Sequence, residues 1–130
     1  MKIVIPLPPR TKKNSQRIVL VKGRPVPIPS KEYKDFEKAC GAFMPKVKEP
    51  INTPVNVKCV YYMPTRRRVD LCNLIEATND ILVHYGILAD DNRNVVYAQD
   101  GSRVYYDKEQ PRTEVEIEGI TNEVIERWKL

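Results

Sequence analysis

Val55-Asn56-Val57-Lys58-Cys59-Val60-Tyr61-Tyr62-Met63 runs through Pro64-Thr65 and Arg66-Arg67-Arg68-Val69 into Asp70-Leu71-Cys72-Asn73-Leu74, and the character of the chain changes along this stretch. Its first part is dense in β-branched and aromatic residues and reads as a strand. From Leu71 the period becomes helical: Leu71, Leu74, Ile75, Thr78, Ile81, Leu82 and Tyr85 share one face at about 100° per residue, while Asn73, Glu76, Asp80 and His84 gather on the other. Asp70 suits the N-cap of this helix and Gly86 its C-terminal stop. Ile87-Leu88-Ala89 leads on to Asp90 and Asp91, and strand patterns follow over 94–106 and 112–117. A following strand laid beside the first makes a β-α-β unit, the arrangement that can return Asp90 and Asp91 towards Asp70.

Working outward, Lys2 to Leu7 reads as a strand closed by Pro6 and Pro8-Pro9. Arg17 to Val21 and Pro25 to Ile28 suit a hairpin about Lys22-Gly23, with Pro25, Pro27 and Pro29 confining the second strand to an edge. Ser30 suits the N-cap of a helix to about Met44, because Tyr33, Phe36, Cys40, Phe43 and Met44 recur at helical spacing. Asp100-Gly101 fits either a hairpin turn or a bulge in a long strand. Thr121 to Lys129 suits a last helix, with Trp128 as a packing anchor. The expected fold is a single α/β (α+β) domain over 1–130, a mixed sheet carrying two main helices and a short C-terminal one.

The length of 130 residues suits one domain, and 42% hydrophobic with 30% charged residues is a globular composition rather than a disordered one. Met1-Lys2-Ile3-Val4-Ile5-Pro6 is too short an apolar run for a signal peptide, and nothing approaches the ~20 apolar residues that span a bilayer, so a cytoplasmic protein without a membrane partner is expected. Cys40, Cys59 and Cys72 are odd in number and widely spaced, which suits free thiols rather than disulfides or a zinc site. The net charge of +5 favours a polyanionic partner, and basic residues collect over 10–24, including Lys12 and Lys13, and at Arg66-Arg67-Arg68.

Two readings of the acidic residues stand at this point. Carboxylates that converge on Mg²⁺ can set up phosphodiester hydrolysis, since this hard ion takes oxygen ligands and keeps waters, one of which can attack phosphorus. Asp70, Asp90 and Asp91 are the candidates, with the neighbouring arginines holding flanking phosphates. The plainer reading makes Asp70 a helix cap, Asp90-Asp91-Asn92 a turn, and Asn73, Glu76, Asp80 and His84 a solvated face.

Several segments together resemble the RusA-type Holliday junction resolvases. Pro6-Leu7-Pro8-Pro9 with Asn14 resembles the family's proline-rich strand end and downstream asparagine. Met63 to Leu74 resembles its basic run leading into Asp-Leu-Asp-Asn-Leu, and Gly86-Ile87-Leu88-Ala89-Asp90-Asp91 its second acidic element. The resemblance implies a homodimer that acts on branched DNA, the four-way junction, making paired nicks with Mg²⁺ or Mn²⁺, and not an enzyme of small-molecule substrates. It implies Asp70 and Asp91 as catalytic metal ligands with Asp90 beside them, and Asn73 in an orienting role. Lys12, Lys13, Arg66, Arg67 and Arg68 are the expected DNA contacts. Two positions depart from the family: Cys72 replaces its middle aspartate, and Glu76 replaces its helix lysine. The expectation is that Glu76, one turn beyond Cys72, supplies the carboxylate that Cys72 cannot, and that Arg66, Arg68, Lys12 or Lys13 takes over from the lysine.

Overall fold

The structure, a computed structural model, describes residues 1–12 and 16–128, the side chains of residues 16, 17 and 128 excepted. Lys13, Asn14 and the side chain of Trp128 therefore lie outside the described residues. In chain order the elements are β1 (Lys2–Ile5), β2 (Gln16–Val21), β3 (Arg24–Pro29), α1 (Lys31–Cys40), β4 (Val55–Met63), α2 (Leu71–His84), β5 (Val96–Ala98), β6 (Arg103–Tyr106), β7 (Arg112–Gly119) and α3 (Asn122–Trp128). This is the mixed-sheet α+β fold expected.

The main sheet runs β1-β7-β4-β5, with β6 also on β4; β4 is antiparallel to β7 and parallel to β5 and β6. The β4-α2-β5 segment is thus the β-α-β unit that the sequence predicts. Every second residue of β4, from Val55 through Val57 and Cys59 to Tyr61, is buried, and so are Leu74, Ala77, Ile81 and Leu82 of α2. Ile3 and Ile5 of β1, Val115 and Ile117 of β7, Cys40, Ile87, Leu88 and Val95 belong to the same core. Most polar groups named inside it are paired: Tyr61 Oη and Thr78 Oγ1 are 2.7 Å apart, and Asn79 Nδ2 donates to Gln99 Oε1, whose amide donates to Val57 O, while Asn79 Oδ1 is buried with no partner among the described residues. Burial drives the thiols of Cys40 and Cys59 up to about 12 and about 11, so both stay protonated; all three cysteines are free and Cys72 alone is exposed.

Asp100-Gly101 is an interruption in an edge strand, because β5 and β6 run in the same direction along β4. From the Val55–Val96 pair to the Val60–Arg103 pair, β4 advances five residues and its neighbour seven. Side chains bridge the gap: Asp100 N donates to Asn56 Oδ1, Asn56 Nδ2 donates to Asp100 O, and Cys59 N donates to Ser102 Oγ. Gly101, at φ +87°, supplies the left-handed residue of the bulge.

The predicted hairpin is also present, with Lys22 and Gly23 both at positive φ in a two-residue loop. Its closing pair, Val21 and Arg24, is the hydrogen-bonded kind, and pairs alternate from there. Pro25, Pro27 and Pro29 therefore take non-bonded positions opposite Leu20, Ile18 and Gln16, where a missing N–H costs the ladder nothing. Ser30 caps α1 by accepting from Tyr33 N, and the helix passes into a 3₁₀ turn over Gly41–Phe43 before Met44. Asp70 Oδ1 caps α2 by accepting from Cys72 N at 2.9 Å, and Gly86, at φ +74°, follows its end. Among the described residues no helix is long and apolar enough to cross a membrane.

Leu82 is fully buried, so Leu82→Ala should lose about 2–5 kcal/mol in urea unfolding. Arg112 bonds both Asp107 and Glu114; it is the main cause that holds the Glu114 carboxyl below its usual range, whereas Asp107 is lowered first by the backbone N–H of Gln110 and then by Arg112. Depressed carboxyls contribute stability above their unfolded values and lose it as pH falls through the folded ones. The gap in stability between the unaltered protein and Arg112→Gln should be full above about pH 5 and shrink towards zero in stronger acid, read from melting temperatures across pH.

Candidate active site

Cys72, Glu76 and Asp80 recur every fourth residue on α2, so they stand in one row with about 6 Å of rise between neighbours. Asp70 caps the start of the helix, outside that row, and ten residues on, about 15 Å along the axis, is Asp80. α1 lies across this end of α2, held by Tyr85 Oη, which donates to Glu37 O at 2.6 Å, and Gly41 leaves room for the Tyr85 ring. Tyr33 and Glu37 consequently face Asp80. Lys12, entering from the segment after β1, places its Nζ 2.7 Å from Asp80 Oδ2 and 5.8 Å from the centre of the Tyr33 ring. Asp91, in the turn beyond the Ile51–Leu88 bridge, closes the group. Lys12, Glu37, Asp80, Val83, His84 and Asp91 line a shallow pocket of about 330 Å³.

The electrostatics here are those of crowded acids. Asp91 is exposed as a residue, yet its carboxyl is raised above the usual range, first by partial burial against the pocket wall, then by Asp90 and by the charge of Asp80. Tyr33 is 1% exposed and its hydroxyl has no hydrogen-bond partner among the described residues; burial, then Glu37, Asp80, Cys40 and Glu76, make it harder to ionise. Lys12 is the cation that offsets this negative charge at Asp80.

The expected site residues distribute as follows. Asp91 is in the pocket, and Asp90 beside it accepts from Asp91 N and from the Asn92 side chain. Glu76 is exposed midway between Cys72 and Asp80, close enough for its charge to reach Tyr33. Asp70 and Cys72 lie at the start of α2, with Asn73 half-buried next to them. Arg66, Arg67 and Arg68 are exposed between β4 and α2, Arg66 stacking over the Tyr106 ring at 4.2 Å. The structure thus brings Asp91 together with Lys12 and Asp80, while Asp70 stands with the arginines at the other end of the helix. Among the described residues no three His, Cys, Asp or Glu side chains gather as a metal-binding group. Mg²⁺ commonly takes only one or two carboxylates and completes its shell with water and substrate phosphate, and the hard oxygens of Asp91 and Asp80 fit that mode.

The family model for endodeoxyribonuclease RusA matches residues 6–118. The chain belongs to the RusA endodeoxyribonuclease family. Members of this family are Holliday junction-resolving endonucleases that act on branched DNA. A search of curated proteins found no match. As a RusA family chain it carries Cys72 and Glu76 on the same helix row as Asp80, so the row offers two carboxylates even with a thiol at its head. The sequence puts Asp80 on the polar face of α2 and makes His84 a surface histidine at the helix end, and the i, i+4 step from Glu76 to Asp80 is the signal available for Asp80. Tyr33 and Glu37 gave none, because their part depends on how α1 packs on α2.

Removing a buried hydroxyl that has no partner relieves its desolvation. Tyr33→Phe should therefore leave the melting temperature unchanged or raise it, and a loss of more than about 1 kcal/mol in chemical unfolding would show that the hydroxyl is hydrogen-bonded in solution.

Proposed function

We propose that this protein resolves four-way DNA junctions as a homodimer, making paired nicks by divalent-cation-dependent phosphodiester hydrolysis. Family membership supports the substrate, and one observation supports the chemistry: the carboxylates of Asp91 and Asp80 share a pocket with the ammonium of Lys12. Two sites related by a dimer axis suit a two-fold substrate.

Mg²⁺, or Mn²⁺ in its place, would be held by Asp91 with Asp80, and Asp90 would reinforce the negative field. The ion supplies charge neutralisation at the scissile phosphate and an activated water. Lys12, whose Nζ lies 2.7 Å from Asp80 Oδ2, would face the scissile phosphate and take the part of the missing helix lysine. Glu76, one turn away on the same face, is the carboxylate that makes good the loss at Cys72. Asp70 sits where Arg66, Arg67 and Arg68 meet the DNA backbone, and one ion cannot bridge it to Asp80 across about 15 Å of helix.

The assay is nicking of a labelled mobile four-way junction with and without Mg²⁺, beside a linear duplex. Unaltered protein should nick the junction symmetrically, and Asp91→Asn and Asp80→Asn should each slow it by about 100-fold or more, with Glu76→Gln slowing it about 10-fold or more. If Asp70→Asn matches Asp91→Asn while Asp80→Asn is harmless, the ion takes Asp70 and the Asp91 turn must move towards the start of α2. Tight binding to the junction with no nicks at any Mg²⁺ or Mn²⁺ concentration would make this chain a junction-binding member that has lost cleavage through Cys72 and Glu76.

A further inference from the structure

The β2–β3 ribbon carries Ile18 and Leu20 in solvent at 65% and 76% exposure, the highest of the large apolar side chains among the described residues. They are two apart on β2, so they share one face, and their cross-strand partners Pro27 and Pro25 are also exposed and apolar. The charge around this face has one sign. Eight of the 22 Lys and Arg precede residue 32, but none of the 17 Asp and Glu does, so the rest of the chain carries 14 basic against 17 acidic residues. The whole positive excess of the protein therefore lies in the segment that contains the ribbon, with Lys22 and Arg24 exposed at its tip.

The ribbon is rooted at the candidate site. The chain leaves the pocket at Lys12, bonded to Asp80, and returns at Ser30, which caps the helix bearing Tyr33 and Glu37. Six residues per strand give it a reach of about 20 Å.

We propose that this ribbon reads the branch point: Ile18, Leu20, Pro25 and Pro27 pack on base faces laid open at the crossover, while Lys22 and Arg24 hold the phosphates around it. The inference rests on the reading that the substrate is branched DNA. Its physical basis is a difference between DNA forms. In a linear duplex the base faces are covered by stacking and an apolar surface finds nothing to bury, whereas apolar side chains do gain where steps are unstacked. Cations on phosphates gain equally on any duplex. The apolar face accordingly supplies preference for the junction, and the basic tip supplies affinity for DNA in general.

Binding in EDTA separates these parts without cleavage, using fluorescence anisotropy with a four-way junction, a linear duplex of one arm's sequence, and a junction carrying 2-aminopurine at the crossover. The double variant Ile18→Ser/Leu20→Ser should bind the junction about ten-fold or more weakly and lose the 2-aminopurine rise, with linear-duplex affinity within about twofold. Lys22→Gln/Arg24→Gln should weaken both DNAs alike and lower the salt slope by about two. Equal melting temperatures confirm that the variants are folded. The proposal is overturned if the serine variant keeps full junction affinity, or if sedimentation shows that it has lost a dimer which the unaltered protein forms, since the apolar face then joins copies of the chain. Should the unaltered protein show no preference for the junction over the duplex, the junction reading fails, and the role of the ribbon falls with it.

Discussion

The seat of α2 on β4 is the constraint on which the rest of the molecule depends. Leu74, Ala77, Ile81 and Leu82 bury one side of the helix against the Val57, Cys59 and Tyr61 face of the strand, and the Tyr61–Thr78 hydrogen bond sets how far along it the helix lies. That choice of register aims the opposite face, with Cys72, Glu76 and Asp80, outward in a single row. It also sets where α1 rests, because Tyr85 at the end of α2 is the group that α1 grips. A shift of one helical turn along the strand would put Thr78 and Gly86, or Asp70 and Thr78, where Leu74 and Leu82 are now buried, so the apolar stripe and the polar bond inside the core hold the same register, the one in which Asp80 meets Lys12.

The pocket brings together negative charges that oppose one another. Asp80, Asp91 and Glu37 share it, Asp90 stands beside it, and the raised carboxyl of Asp91 is the visible result. Among the described residues the ammonium of Lys12 offsets the crowding, and it arrives from the segment that also launches the ribbon. Acid crowding, its counter-charge and the most basic segment of the chain are therefore joined through a single side chain, which makes the state of the pocket sensitive to whatever engages that segment.

The elements themselves were legible because each has strong local markers. Asp70 and Ser30 cap where caps were expected, Gly86 ends α2, and Lys22-Gly23 turns the hairpin. Asp100-Gly101 was not decidable, since a hairpin turn and a bulge use the same residues, and only the shared direction of β5 and β6 on β4 separates them. The site was legible in its residue types more than in its grouping. Asp91 and Lys12, both named from the sequence, line one pocket, Glu76 stands outside it, and the β-α-β unit that returns the chain to the sheet was legible too. Asp80 in the same pocket as Asp91 was not, because the helix is long enough to hold two acidic ends, and sequence spacing does not say which of them the returning turn meets. Tyr33 and Glu37 depend on contact between helices separated by more than thirty residues, which no local pattern encodes.

The prolines of β3 have a consequence for the protein in concentrated solution. An exposed apolar ribbon ordinarily invites other chains to add strands along its edges, the first step of ordered aggregation. Pro25, Pro27 and Pro29 occupy the positions whose N–H groups would otherwise point away from β2, so that edge has no donors to offer an incoming strand. The chain thus keeps a surface greasy enough to meet apolar faces while denying one side of it to fibre growth, a division of labour between side chains and backbone within a single six-residue strand.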